Sequence, residues 1–323
     1  KNTSQSTSHP LHNEVGALMG KSMRTDKIVL RFLPAVLAGF MLATLSSPLF
    51  SQDTETLYLS GTDSEHPIDW KFYCSDGRQS GFWTFIPVPS NWELHGFGTY
   101  NYGHDQPKAD ETGKYEHGFK LPPNWSEKRI YLIFEASMTD TEAWINGKSV
   151  GPRHQGGFYE FQYDVTDLVR FDSDNELEVT VHKMSSNPSV NSAERDADYW
   201  VFGGIYRPVL LRAFPKQHIL RTAIDARADG KLEIHAELGG TDSEITLEGR
   251  VQTLVGKQIG ETFSVGVPAG ESRATLSTSI SGHKLWTAET PNLYQVVLSL
   301  RGGDQVLHTT TERFGFRTFE VRP

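Results

Sequence analysis

Residues 130–151 read I-Y-L-I-F-E-A-S-M-T-D-T-E-A-W-I-N-G-K-S-V-G. The first seven are rich in β-branched and aromatic side chains, which favours a buried strand. Asn146-Gly147 suits the two positive-φ positions of a type I′ turn, so residues 142–151 predict a β-hairpin. A buried strand followed closely by a hairpin is typical of antiparallel sheet.

The segments around this stretch continue the β pattern. Residues 177–182 alternate as L-E-V-T-V-H, and residues 209–214 form another apolar strand. Residues 165–170 allow one helical turn, but no long 3.6-residue periodicity occurs. We therefore predict an all-β domain over residues 52–215, built as a two-sheet sandwich.

Pro215 marks the predicted boundary to a second domain. Beyond it, six short alternating segments cover residues 219–226, 232–238, 245–253, 274–280, 293–300 and 306–311. About seven strands in this length is the immunoglobulin-like count, so we predict an immunoglobulin-like sandwich over residues 216–320. Trp286 is its expected core aromatic.

The net charge of the chain argues against nucleic acid and anionic membranes as binding partners. The 323 residues carry a formal net charge of −9, with no basic run interleaved with aromatics. Such a surface repels nucleic acid and anionic membranes. The single cysteine, Cys74, forms no internal disulfide and is expected to be a small buried hydrophobe.

The first part of the chain has the pattern of an export signal. Residues 1–22 are polar and are predicted to be disordered or a misassigned upstream segment. From Met23, three basic residues precede the uncharged apolar run of residues 32–45, and small residues follow before position 52. The run is too short to span a bilayer, so we predict a signal peptide at 23–51, no membrane anchor, and a secreted or periplasmic protein.

One segment combines the groups that bind sugars. Arg195–Pro208 reads R-D-A-D-Y-W-V-F-G-G-I-Y-R-P. The C–H face of a sugar stacks on an aromatic plane while its hydroxyls donate to carboxylates. The segment is therefore a candidate sugar contact, and its pair Gly203-Gly204 is expected to allow close approach of the next domain's backbone.

Six stretches in order together resemble family 2 of the glycoside hydrolases, the β-galactosidase and β-glucuronidase family. They are P-V-P-S-N-W-E-L at 87–94, G-K-Y at 113–115 leading to L-P-P-N-W at 121–125, A-W-I-N-G-K at 143–148, residues 198–208, L-W-T-A-E-T-P-N-L-Y at 285–294 and R-F-G-F-R at 313–317. The resemblance implies an all-β chain with a jelly-roll (galactose-binding-like) β-sandwich first and an immunoglobulin-like β-sandwich second. It also implies a following (β/α)8 barrel that holds both catalytic glutamates, with residues 321–323 starting the link to it. No catalytic residue is then expected in this chain, and the chain alone is expected to be inactive.

The resemblance also implies specific site residues. Asp198 occupies the place of an aspartate that holds the sugar and a bound monovalent cation, although a lone loop acid more often pairs with a neighbouring base. Trp200 is a candidate stacking residue. Where many members read G-T-P-I-Y-T-N, this chain reads G-T-Y-N-Y-G-H at 98–104, so His104 or Asn101 must serve as the sugar contact, or the contact is absent.

Three functions remain open from the sequence. The first is the non-catalytic N-terminal portion of a secreted retaining glycoside hydrolase that acts on oligo- or polysaccharide. The others are a freestanding carbohydrate-binding protein and a structural adhesion module. No cofactor is required by any of them, apart from the possible monovalent cation at Asp198.

Overall fold

The computed structural model describes residues 53–321, which fold as antiparallel strands with one short α-helix, α1 (Pro188–Glu194). The predicted signal peptide lies outside the described residues. No helix within residues 53–321 is long and apolar enough to cross a membrane. The all-β prediction is confirmed.

Twelve strands precede residue 215. They are β1 (Glu55–Tyr58), β2 (Ile68–Cys74), β3 (Trp83–Val88), β4 (Asn101–Tyr102), β5 (Thr112–Phe119), β6 (Arg129–Phe134), β7 (Asp140–Ile145), β8 (Lys148–Ser149), β9 (Phe161–Asp164), β10 (Asn175–His182), β11 (Trp200–Val201) and β12 (Val209–Phe214). They form a six-stranded sheet β3-β2-β5-β10-β7-β8, a four-stranded sheet β1-β12-β6-β9 and the two-stranded pair β11-β4.

The local predictions for this sandwich hold. The turn between β7 and β8 places Asn146 at φ 54° and Gly147 at φ 75°, the positive angles that a type I′ turn needs. Along β10, buried residues alternate with exposed or half-buried ones, as an amphipathic strand requires. The hairpin and the alternating strand predicted from sequence are therefore present.

A single apolar core joins the two larger sheets. Trp70, Phe72 and Tyr115 of the six-stranded sheet share a cluster with Ile130 and Leu132 of the four-stranded one, and each is at most 1% exposed. The Trp70 indole N–H donates to the Leu59 carbonyl at 3.1 Å, so its polar atom is satisfied inside the core. Cys74 belongs to the same cluster, and its burial raises the pKa of its thiol.

Seven strands follow residue 217, the immunoglobulin-like number. They are β13 (His218–Ala226), β14 (Lys231–Gly239), β15 (Ile245–Thr253), β16 (Phe263–Val267), β17 (Arg273–Ser279), β18 (Tyr294–Gly302) and β19 (Gln305–Phe314). They form the sheets β13-β14-β17 and β16-β15-β18-β19 around their own core. Six of these strands were predicted; β16 was missed because F-S-V-G-V is short and contains a glycine.

The prediction for Trp286 is wrong. Trp286 lies in the connection between β17 and β18, half-buried at the rim, with the Arg317 guanidinium 4.6 Å from its ring centroid. The aromatic at the centre of this core is Phe316, which is 0% exposed and contacts the ring of Tyr294. A tryptophan in a connection between strands has no sheet register to direct it inward, so it caps the core edge instead.

The two sandwiches meet at a joint of packed rings. Only residues 215–217 separate β12 from β13. The His218 ring stacks on Phe214 at 4.7 Å, and the His308 ring contacts Phe214 edge-on at 6.1 Å. His308 also bonds to Thr54 of the first sandwich, Nε2 to Oγ1, at 2.8 Å. The joint is thus closed by side chains from both domains.

Candidate functional site

The four residues predicted to contact sugar lie on one small structure. β4 and β11 pair antiparallel, with Tyr102 opposite Trp200 and Asn101 opposite Val201. We call residues 99–105 and 196–204 the site ribbon. Segments almost a hundred residues apart are therefore brought side by side, and Asp198 and His104 lie in the turns directly next to the paired strands.

Asp198 projects into solvent from the ribbon. Its side chain is 86% exposed, and its Oδ1 accepts a hydrogen bond from the Tyr102 hydroxyl at 2.7 Å. This bond raises the pKa of the Tyr102 phenol, because losing the proton would face the carboxylate. Asp198 Oδ2 has no partner among the described residues, so one carboxylate oxygen is oriented and the other is available to a ligand.

His104 lies between two carboxylates. Its Nδ1 is 3.8 Å from Asp196 Oδ1 and its Nε2 is 3.8 Å from Asp198 Oδ1, which are electrostatic rather than hydrogen-bond distances. Lys108 Nζ lies 3.1 Å from Asp196 Oδ1 and donates to the Arg195 carbonyl at 3.0 Å. Asp196 therefore has a firm cationic partner, whereas Asp198 keeps one carboxylate oxygen available to a ligand beside the His104 ring.

Trp200 supplies the exposed apolar surface. Its residue is 53% exposed, and its ring makes T-shaped contacts with Tyr100 at 5.9 Å and Tyr102 at 5.5 Å between centroids. Tyr100 in turn packs under the Arg78 guanidinium at 4.7 Å. The tyrosines fix the indole while leaving half of it accessible, which suits a sugar-stacking residue.

Asn101 is placed differently from the other three. It is only 8% exposed, and its Oδ1 accepts a hydrogen bond from the Ala109 backbone N–H at 2.8 Å. This contact ties the ribbon to the loop that follows it. Direct contact of Asn101 with sugar stays a prediction, and His104 is the better exposed of the two alternatives.

The sequence did not single out Tyr102 or Tyr100 as site residues. Their signal was present in the alternating Y-N-Y at 100–102, but its role depended on pairing with a strand far along the chain. The expectation for Gly203 and Gly204 was wrong in its partner. A Cβ on Gly203 would lie 2.0 Å from the Trp92 ring, and one on Gly204 would lie 2.7 Å from the Ser90 carbonyl, so the close approach is within the first sandwich.

The ribbon offers little to a cation by itself. Among the described residues, no group of three or more histidine, cysteine, aspartate or glutamate side chains could hold a metal ion. Asp198 could give one carboxylate oxygen to a monovalent cation, but further ligands would have to come from elsewhere. A cation at Asp198 therefore stays a prediction.

A groove of about 570 Å³ lies in the second sandwich, beside Trp286, Arg317 and Phe319. Its one carboxylate, Asp225, is bound to Arg227 at 2.8 Å. This groove offers sugar hydroxyls no available carboxylate, so the ribbon is the better candidate site for contact with sugar.

Comparison with known proteins identifies the domains of the chain. Residues 63–215 match the glycosyl hydrolases family 2 sugar binding domain, and residues 217–317 match a second glycosyl hydrolases family 2 domain. The β-galactosidase of Priestia megaterium is 27% identical, over 78% of this chain and 28% of its own length. The β-glucuronidase of Formosa agariphila is also 27% identical, over 78% of this chain and 29% of its own length.

A solved structure shows the same fold. The Bacteroides uniformis β-glucuronidase superposes with a TM-score of 0.62 at 26% identity, covering 81% of this chain and 32% of that one. The chain thus spans less than a third of the length of each of these three relatives. Because the two family domains together cover most of the chain, it belongs to family 2 of the glycosyl hydrolases.

Proposed function

We propose that this chain is the sugar-contacting N-terminal part of a secreted retaining glycoside hydrolase, and that the site ribbon forms one wall of its substrate pocket. The observation that carries the proposal is the placement of Asp198, His104 and Trp200 together and exposed. A directed acceptor, a second polar group and an aromatic surface are what recognition of a sugar ring requires.

The chemistry of bond cleavage is assigned to the rest of the enzyme. In a retaining hydrolysis one carboxylic acid protonates the leaving oxygen and a second carboxylate attacks the anomeric carbon. Asp196 and Asp198 are both about half or more exposed, and they contact Lys108 and Tyr102, so neither is the buried carboxylic acid that such a proton transfer requires. The ribbon orients substrate, and the catalytic glutamates belong to a (β/α)8 barrel.

The charge of the ribbon favours a neutral substrate. Asp196 and Asp198 flank the exposed surface, and Lys108 is already committed to Asp196. A uronic acid would bring its carboxylate towards these groups, whereas a galactoside would bring hydroxyls that can donate to Asp198. Of the activities named for the relatives, β-galactosidase is therefore the one we propose, with oligo- or polysaccharides as substrates and with export directed by residues 23–51.

The experiment is a kinetic comparison in the whole protein encoded by the gene. It should hydrolyse a chromogenic β-galactoside in preference to the β-glucuronide. Asp198→Ala should lower kcat/KM by a factor that corresponds to about 1–3 kcal/mol of lost transition-state stabilisation, the size of a lost hydrogen bond to a charged group. The variant should remain folded. Asp172→Ala, an exposed aspartate outside the ribbon, is the matched control and should leave kcat/KM unchanged.

Two results would contradict the proposal. Unchanged kinetics in Asp198→Ala would remove the ribbon from the pocket. Failure to turn over any glycoside would rule out the proposed enzymatic activity. Glycan-array binding by the chain would then decide between a freestanding carbohydrate-binding protein and an adhesion module.

A further inference from the structure

Four charged side chains are buried directly beneath the site ribbon. Glu93, Glu111, Lys183 and Arg195 are each at most 1% exposed. Lys183 Nζ lies 2.9 Å from Glu93 Oε1 and 3.4 Å from Glu111 Oε2. The proposed contact with sugar uses none of them, so their role needs a separate account.

These charged side chains hydrogen-bond to the backbone of both segments of the ribbon, residues 99–105 and residues 196–204, which we call its two legs. The Gly203 N–H donates to the Glu93 carboxylate, at 3.0 and 3.1 Å from its two oxygens. On the other leg, Lys183 Nζ donates to the Thr99 carbonyl. Arg195 also donates to the Phe202 carbonyl. One ion pair, Glu93 with Lys183, therefore links the two legs from below.

Strand pairing alone does not order the ribbon. Only two residue pairs join β4 to β11, and a two-stranded pair of this length is not stable in water without further support. Trp92 lies under the ribbon at Gly203, but its ring supplies contact and no directed bond to the backbone. Gly204 also exchanges backbone hydrogen bonds with Met138, at 2.9 and 3.2 Å, and Asn91 Nδ2 donates to the Gly203 carbonyl at 3.1 Å. These bonds hold residues 203 and 204 alone, whereas the Glu93–Lys183 pair bonds to the backbone of both segments.

Burial of these charges opposes stability rather than adding to it. Desolvation raises the pKa of Glu93 above its ordinary value, even though the Lys183 ammonium and the Gly203 N–H lower it. Apolar side chains of similar volume commonly serve a core as well as a buried ion pair or better. What an apolar residue cannot do is hold a backbone N–H on one leg and a backbone carbonyl on the other.

We propose that Glu93 and Lys183 are positioning residues, which fix the site ribbon against the first sandwich so that Asp198 and Trp200 are presented in one orientation. Neither residue touches the ligand; both act through the backbone of residues 99 and 203. The use of that orientation for sugar binding rests on the proposed function, whereas the ordering of the ribbon does not.

The test is hydrogen exchange of the full chain without sugar, read on peptides that cover residues 99–105 and 196–204. Glu93→Leu should speed exchange of these peptides by roughly tenfold or more, which corresponds to ~1.4 kcal/mol of lost local protection. Glu93→Gln keeps the side-chain shape and one acceptor for Gly203, so it should restore part of the protection. Lys183→Met should act in the same direction as Glu93→Leu.

The control separates local order from overall stability. Leu132→Ala opens a cavity in the same core, in the four-stranded sheet, and lowers the stability of the whole sandwich. A ribbon that opens by a local route should exchange no faster in that variant. If ribbon exchange in Glu93→Leu is no faster than in Leu132→Ala, the positioning role is wrong. If Glu93→Leu fails to fold, Glu93→Gln against Leu132→Ala decides by the same comparison. Absence of glycoside turnover would contradict the proposed function, but it would not affect the conclusion that the exchange experiment gives about the ordering of the ribbon.

Discussion

The joint between the sandwiches should lose stability in mild acid because His308 must stay neutral there. The Ile219 N–H donates to His308 Nδ1 at 3.0 Å, so Nδ1 carries no proton and Nε2 donates to Thr54 Oγ1 at 2.8 Å. Both ring nitrogens are thus committed in the neutral form. A second proton at Nδ1 would oppose the Ile219 N–H, and the ring is only 2% exposed to water.

The size of the effect follows from the pKa. Burial, with the nearby His218 and Lys128 acting the same way and Asp53 opposing, lowers the pKa of His308 from 6.5 to about 4. Between these values the unfolded chain binds a proton that the folded chain does not, so stability rises with pH through this window and falls as pH drops. At 1.36 kcal/mol per pKa unit the full loss is about 3 kcal/mol, of which roughly 2.5 kcal/mol is lost by about pH 4.5.

The assay is urea unfolding near pH 7.5 and near pH 4.5, comparing the native chain with His308→Asn. Other groups titrate in this range too, so the difference between the two proteins is the quantity to measure. Asn keeps an acceptor near the position of Nδ1 but cannot be protonated, so the variant should show a pH dependence smaller by roughly 2.5 kcal/mol. His235→Asn, which removes an exposed histidine of the same domain, controls for loss of a histidine as such. Equal pH dependence in the native chain and His308→Asn would refute the reasoning.

Two further predictions concern the ribbon. Gly203→Ala should lower the free energy of unfolding by about 2–3 kcal/mol, measured with heat or urea, because its Cβ would lie 2.0 Å from the buried Trp92 ring. Gly118→Ala is the control: its Cβ would have nothing nearer than 3.8 Å, so it should change stability by about 0.5 kcal/mol or less. Equal effects of the two substitutions would mean that Gly203 does not pack on Trp92. Asp198→Asn should lower the pKa of the Tyr102 phenol towards its ordinary value, followed by NMR titration of its ring carbon; no change would show that the hydroxyl does not donate to Asp198 in solution.

The fold could be predicted from sequence wherever the pattern within a single strand or turn indicates its structure. The alternation of β10 and the Asn146-Gly147 turn are local patterns, and both survive in the structure. The α-helix at Pro188 was missed although its start is marked: Asn187 caps it by accepting from the Ser189 N–H, and Pro188 takes the first helical position. Seven residues are too few for a helical periodicity, so only the cap carried the signal.

The site could be predicted only in part, because its residues are assembled by pairing of distant strands. Asp198 and Trp200 were identified from one segment, but their partners Tyr102 and Tyr100 come from the other leg of the ribbon. Lys183 was not identified at all, since a lone lysine at the end of an alternating strand usually reaches solvent. Its burial beside Glu93 is a property of tertiary packing alone.

Because Asp198 is exposed, we expect the ribbon to bind sugar weakly when the rest of the proposed substrate pocket is absent. A hydrogen bond between an exposed carboxylate and a sugar hydroxyl replaces bonds that both groups already make to water, so its net gain is small. Trp200 adds one half-exposed aromatic surface, and loss of translational freedom on binding opposes both. We therefore expect the chain by itself to bind galactose no more tightly than about 1 mM, which corresponds to ~4 kcal/mol, in an NMR titration of the Trp200 indole signal. Against an opposing wall that excludes water, the same carboxylate would interact more strongly, because the effective dielectric constant falls. Micromolar binding by the isolated chain would contradict this reasoning and favour a freestanding carbohydrate-binding protein.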